Sequence, residues 1–132
     1  RQKHGFKLKK ENFVNLMLGL ISAGNAVIHT IYNNRKAVSS NVVLFHGDTC
    51  YYWLSGTDPV ELGSGFNQLL TWETLKRLSD AGYKWFDFLG ANTDTIAKYK
   101  STFNFSLASY FQIEKTYGNA TKAFFYLKKL LK

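Results

Sequence analysis

Residues 65–92 read "GFNQLLTWETLKRLSDAGYKWFDFLGAN". The spacing predicts a helix over 66–80. Trp72, Leu75 and Leu78 form a core stripe, with Glu73, Lys76 and Arg77 opposite. Phe66, Leu69 and Leu70 fall outside that stripe, as though a further element packs against the first turn. Gly82 supplies the stop, because a residue without Cβ enters the left-handed region that ends many helices. "YKWFDFL", residues 83–89, then predicts a strand. Its apolar residues occupy both faces, so a central place in a sheet, covered on both sides, is expected.

Toward the N-terminus, residues 56–65, "GTDPVELGSG", are a loop holding the chain's one proline and three glycines. Before it, three alternating segments predict strands at 25–33, 38–46 and 49–56, with a turn at Gly47-Asp48. Short links make them an antiparallel meander. The return from helix 66–80 to strand 83–89 is a βαβ crossover, which sets its strand parallel to the one before the helix. Residues 9–22 predict a helix whose apolar face is Phe13, Leu16, Met17, Leu20 and Ile21, stopped at Gly24. Toward the C-terminus, residues 93–103 predict a short helix with Thr93 or Asp94 as N-cap. A long alternating strand over 105–117 and a helix over 119–132 follow. The fold class is α/β (α+β): a mixed sheet flanked by helices, in one domain spanning residues 1–132.

The net charge is +8, but five of the positive residues lie in 1–10 and four in 122–132. Residues 11–121 carry eight positive and nine negative charges, a net of −1. The basicity therefore belongs to the ends, as solvated tails or as a patch for an acidic partner such as tRNA. One cysteine, Cys50, allows no internal disulfide and suits a reducing, cytoplasmic setting. His4, His29 and His46 lack ligand spacing, so no metal site is expected. No apolar run reaches the roughly 18 residues of a membrane span.

The element order is similar to that of the GNAT (Gcn5-related N-acetyltransferase) fold from its second helix onward. Leu69, Leu70, Trp72, Leu75 and Gly82, then Asp87-Phe88, then Lys100 and Phe103, resemble the C-terminal GNAT half of FemAB/FemX-like acyltransferases. That branch has an "LL-W" helix, a strand ending near "DFG", and a Lys before "x-x-FG". This chain departs at Leu89, which intervenes before Gly90, and at Asn104, where the branch often has Gly. The resemblance covers about residues 11–115. It implies acyl transfer to an amine, from an acyl-coenzyme A or an aminoacyl-tRNA. Implied acceptors are small molecules or precursors of cell wall, polysaccharide or lipid. It also implies a preceding GNAT-like half, so a non-catalytic binding or assembly role for this half alone is the alternative.

Several residues are candidates for chemistry. Gly63, Ser64 and Gly65 precede a helix, where unpaired amides can hold phosphate oxygens, and Asn67 in the first turn joins them. GNAT enzymes use Arg/Gln-x-x-Gly-x-Gly/Ala for the coenzyme A pyrophosphate; here Val60 takes the first position, and Glu61 would repel phosphate. A plain flexible connector is the other reading. Lys100 lies two places from Lys98 on a helix, so only one of them can face a cleft. There Lys100 could neutralise a phosphate or stabilise an oxyanion; elsewhere it is a solvated lysine. Asp87, flanked by Trp85, Phe86 and Phe88, could as a buried carboxylate hold or deprotonate an amine, or cap the following turn. Asn92 and Asp94 lie past the C-terminal end of their strand, where open α/β sheets bind ligands; with Lys98 they are candidates for substrate binding.

Overall fold

The structure, a computed structural model, describes residues 9–109 and 111. The chain divides into two compact units, residues 1–102 and 103–132, and every element below belongs to the first. In order these are α1 (Lys10–Ser22), β1 (Ala26–Asn33), β2 (Lys36–His46), β3 (Thr49–Thr57), a 3-10 turn (Pro59–Glu61), α2 (Phe66–Asp80), β4 (Trp85–Asp87) and α3 (Asp94–Ser101). The expected strand at 105–117 is not formed over 105–109, which has no regular structure. The rest of it, Phe111 apart, and the helix expected at 119–132 lie outside the described residues.

The strands form one sheet in the order β1-β2-β3-β4. β1, β2 and β3 are the expected antiparallel meander, and β4 pairs parallel to β3 across the α2 crossover. Asn34 and Arg35 make the first turn, both with positive φ (48° and 66°), the backbone that suits the twist of a two-residue hairpin. Neighbouring residues of β2 serve opposite faces. Val42 packs with Met17 and Ala26 beneath α1, ringed by Phe13, Leu20, Leu44 and Trp53. Asn41 donates to Thr74 of α2 on the other face. The sheet is thus the middle of three layers.

α2 ends as expected: Gly82 takes φ 88°, and the amide of Tyr83 donates to the Leu78 carbonyl at 3.1 Å. Its buried face corrects the predicted stripe. Leu70, Thr71, Thr74 and Leu78 are buried, whereas Trp72 is 57% exposed. Two threonines occupy the centre of that face because the sheet beneath offers them polar partners, and an apolar count passes over them.

β4 also differs from expectation. It is three residues long, lies at the sheet edge among the described residues, and leaves Trp85 67% exposed. Its aromatic residues build a side-by-side ring cluster instead of two covered faces. Tyr52, Phe86 and Phe88 have centroids 5.1–6.0 Å apart in tilted and edge-on pairs.

Candidate active site

The parallel pair β3 and β4 is short. Thr49, Cys50 and Tyr51 pair with Trp85, Phe86 and Asp87, and there the ladder stops. β3 runs on to Thr57 against β2. Past Asp87 the segment that follows β4 turns away through Leu89, a non-glycine residue at φ 58°. The two strands therefore part at their C-terminal ends, where parallel sheets place ligands. The N-terminus of α2, the turn at 88–90 and α3 gather around this opening.

α2 begins after Gly65, at φ 78°, with no side chain capping its first amides. An added Cβ at Gly63 or Gly65 would meet nothing within 4 Å. Ser64 Oγ donates to Glu61 Oε2 at 2.9 Å, so this hydroxyl is engaged, and the acidic residue expected to oppose phosphate lies against the glycine segment. Asn67 Oδ1 is buried without a hydrogen-bond partner, which leaves an acceptor with unmet need at the helix entrance.

α3 is fastened to this end of α2 by a residue the sequence analysis passed over. Tyr99 donates its hydroxyl to the Asn67 carbonyl at 3.3 Å and lies 2.7 Å from Thr71 Oγ1, which in turn lies 3.1 Å from the Tyr52 hydroxyl. A consistent direction runs Tyr52 to Thr71 to Tyr99 to the Asn67 carbonyl: Tyr52 donates, and Thr71 and Tyr99 each accept one hydrogen bond and donate another. Burial, with a smaller contribution from Tyr52 and against the Thr71 bond, pushes the Tyr99 phenol up to about 12. The available signal was its place beside Lys100 on a short helix, but an aromatic residue there reads first as packing.

Lys100 faces the end of β4 while Lys98 is exposed, so the two lysines diverge as their spacing requires. Lys100 Nζ donates to the carbonyls of Phe88, Leu89 (3.4 Å) and Gly90 (2.6 Å), and lies 5.8 Å from the centre of the Phe88 ring. Burial lowers its pKa, and the charge of Asp87 opposes that shift. Asp87 is exposed, contrary to the buried carboxylate expected; its Oδ1 accepts from the Leu89 amide at 2.6 Å and caps the turn. Strand β4 ends at Asp87, so the carboxylate stands at the rim of the opening and not under the ring cluster. Asn92 is exposed and close to Gly90. Asp94 is exposed in the first turn of α3, whose N-cap is Thr93. Among the described residues the structure thus gathers Asn67, Tyr99, Lys100 and Asp87 by direct bonds and chain adjacency. It leaves Asp94 and Lys98 on the outer surface of α3, and among the described residues no group of three His, Cys, Asp or Glu side chains suits a metal ion.

The family model described as "Acetyltransferase (GNAT) domain" matches residues 1–101. The chain belongs to the GNAT acetyltransferase family. No curated protein matches the sequence. Among solved structures, this GNAT domain is similar to the ribosomal-protein-S18-alanine N-acetyltransferase of Escherichia coli. That match has 17% identity and a TM-score of 0.58, and covers 75% of this chain and 62% of that one. The domain thus spans under two thirds of that enzyme. It is also similar to the aminoglycoside 6'-N-acetyltransferase AAC(6')-IG of Acinetobacter haemolyticus, at 10% identity and TM-score 0.67 over 86% of each chain. A third similar structure is AAC(6')-Iy in complex with the bisubstrate analog CoA-S-monomethyl-acetylneamine. It shows 8% identity and a TM-score of 0.67, covering 83% of this chain and 82% of that one. At these identities the structures establish the GNAT fold. No described helix is long and apolar enough to cross a membrane.

Proposed function

We propose that this chain binds an acyl-coenzyme A where β3 and β4 part and serves transfer of its acyl group to an amine. The observation that carries the reading is the parting itself, in a GNAT domain, with the uncapped start of α2 and the orphaned Asn67 Oδ1 at its mouth. Coenzyme A fits this entrance. Its phosphates need free backbone amides, as the uncapped first turn of α2 after Gly65 offers; the Ser64 amide is already given to the Glu61 carbonyl. Its pantetheine arm carries amide N–H groups of the kind Asn67 Oδ1 lacks. Glu61 works against phosphate and ties Ser64, so the helix amides are the favoured contact.

The donor supplies a thioester carbonyl already activated for attack. The amine nitrogen forms the new C–N bond, the C–S bond breaks to release the coenzyme A thiolate, and the proton lost by the amine balances the one that the thiolate takes up as it leaves as free thiol. The protein contributes orientation and dipoles aimed at the reacting carbonyl, with no acyl-enzyme intermediate. Lys100 and Asp87 stand at the end of β4, beside the opening, and are the residues proposed to govern this step. Asn92, Asp94 and Lys98 lie on the acceptor side in this reading.

Within the family we place the chain in the FemAB/FemX-like branch, on the run from Leu69-Leu70 through Asp87-Phe88 to Lys100 and Phe103. That branch extends the acceptors to cell-wall, polysaccharide or lipid precursors and the donors to aminoacyl-tRNA. Calorimetric titration of the full chain separates the donors. Saturable one-to-one heat with acetyl-coenzyme A, weakened roughly tenfold by Asn67→Leu, is the expected outcome. Heat with aminoacyl-tRNA alone would move the donor to tRNA, and its salt dependence would then be steep.

A further inference from the structure

We propose that Lys100 is a positioning residue acting as an internal cation: its ammonium, seated among the carbonyls of Phe88, Leu89 and Gly90, holds open the turn that parts β4 from β3. The inference rests on the acyl-transfer reading above for its consequence, though not for its structure. An extended strand points successive carbonyls to opposite sides, so three in a row cannot meet at one point. Here they do, because Leu89 enters the left-handed region at φ 58°, a conformation that its Cβ disfavours.

Two ionic groups keep it there. The Asp87 carboxylate takes the Leu89 amide, and the Lys100 ammonium takes the carbonyls. The pairing matches charge to dipole on both sides of one turn. An ammonium has three N–H donors, and three carbonyls accept from it. No proton is left to aim at a developing oxyanion. The influence of Lys100 on chemistry therefore passes through the backbone that it shapes. Without the ammonium, three carbonyl dipoles would point at one another across a vacant centre, and the turn would relax toward extended strand, narrowing the opening. Arginine cannot replace it, because a planar fork cannot serve three carbonyls converging on one point. A small free cation can, because the cage asks only for charge and donors.

The test uses the full chain carrying Lys100→Met, which keeps the aliphatic stem and removes the charge. Amide hydrogen exchange over 88–92 should quicken roughly tenfold or more, while β1 and β2 stay as in the wild type. Added methylammonium should restore protection over 88–92 and, with it, acetyl-coenzyme A affinity. Unchanged exchange in Lys100→Met overturns the proposal. So does failure of methylammonium to restore protection, and so does lost turnover with wild-type exchange and donor affinity, which would put the ammonium on the reacting carbonyl. If Lys100→Met does not fold, Lys100→Arg is read the same way: loosened 88–92 supports the cage and wild-type protection overturns it. If the wild type binds no acyl donor yet Lys100→Met loosens the turn, the acyl-transfer reading falls and the cage stands.

Discussion

Thr74 has no solvent exposure, yet its hydroxyl accepts from Asn41 Nδ2 at 2.9 Å and lies 3.3 Å from His29 Nδ1, which is also 3.3 Å from Asn41 Oδ1. Three polar side chains from β1, β2 and α2 satisfy one another under the helix. Thr74→Val keeps the shape and deletes the acceptor, so urea unfolding should show a loss of about 1–3 kcal/mol. Burial lowers the His29 pKa; the Asn41 bond opposes this and Arg77 adds to the lowering. The folded state thus prefers neutral imidazole. Its contribution to stability is complete above the unfolded value, near 6.5, and declines as pH falls below it. Unfolding midpoints should drop between about pH 7 and 5, and His29→Gln should flatten that slope. At this scale the sequence was only partly legible. Asp87 as a turn cap and the divergence of Lys98 from Lys100 followed from chemistry and helical spacing. Thr71, Thr74 and Tyr99 did not, because a threonine becomes a core residue only when partners across the sheet are known.

The first hairpin carries an avoidable cost. Arg35 is exposed and held at φ 66°, where any Cβ is strained. Arg35→Gly should raise stability by about 1 kcal/mol, read as a higher urea midpoint at unchanged slope. Next to it, Lys36 pairs with Asp58 at 2.6 Å and ties the start of β2 to the 3-10 turn leading to α2. The lysine bond, helped by the Val60 amide, lowers the Asp58 pKa. This tie is present at neutral pH; its contribution declines as pH falls below the ordinary carboxylate value of 3.8 and is gone once pH passes the lowered value of the folded state, where Asp58 gains a proton. Proteolysis of the 58–65 loop should quicken there, and in Asp58→Asn at pH 7. The elements themselves were largely readable: strand alternation, turn residues and the two helix stops found the meander, α1 and α2. The edge position of β4 was not, because aromatic residues on both sides of a strand look the same whether they cover two faces or join a lateral cluster such as Tyr52, Phe86 and Phe88.

Across the unit that ends at Thr102, three layers and one parallel step produce the feature that matters, two strands parting beside a helix start. Core loss and site loss should separate. Leu70→Ala, at a residue 3% exposed on the buried face of α2, should cost about 2–5 kcal/mol of stability. Asn67→Leu should instead leave stability nearly unchanged, since the Oδ1 it removes has no partner, and weaken donor binding. Cys50, fully buried with its thiol pushed up to about 11, should react with thiol reagents only on unfolding, which provides an independent report on the core. Element order alone pointed to the GNAT fold, because a meander followed by a crossover is written in local patterns. The opening was less legible, since it depends on where the β3–β4 ladder stops.

The central claim is that an acyl-coenzyme A enters where β3 and β4 part. Backbone amide chemical shifts of the full chain during titration with acetyl-coenzyme A test it most directly. The account predicts saturable shifts concentrated at residues 63–69, 52–55 and 88–92, with β1 and α1 unmoved. Saturable shifts centred anywhere else, or no shifts with a folded protein and millimolar ligand, would contradict it.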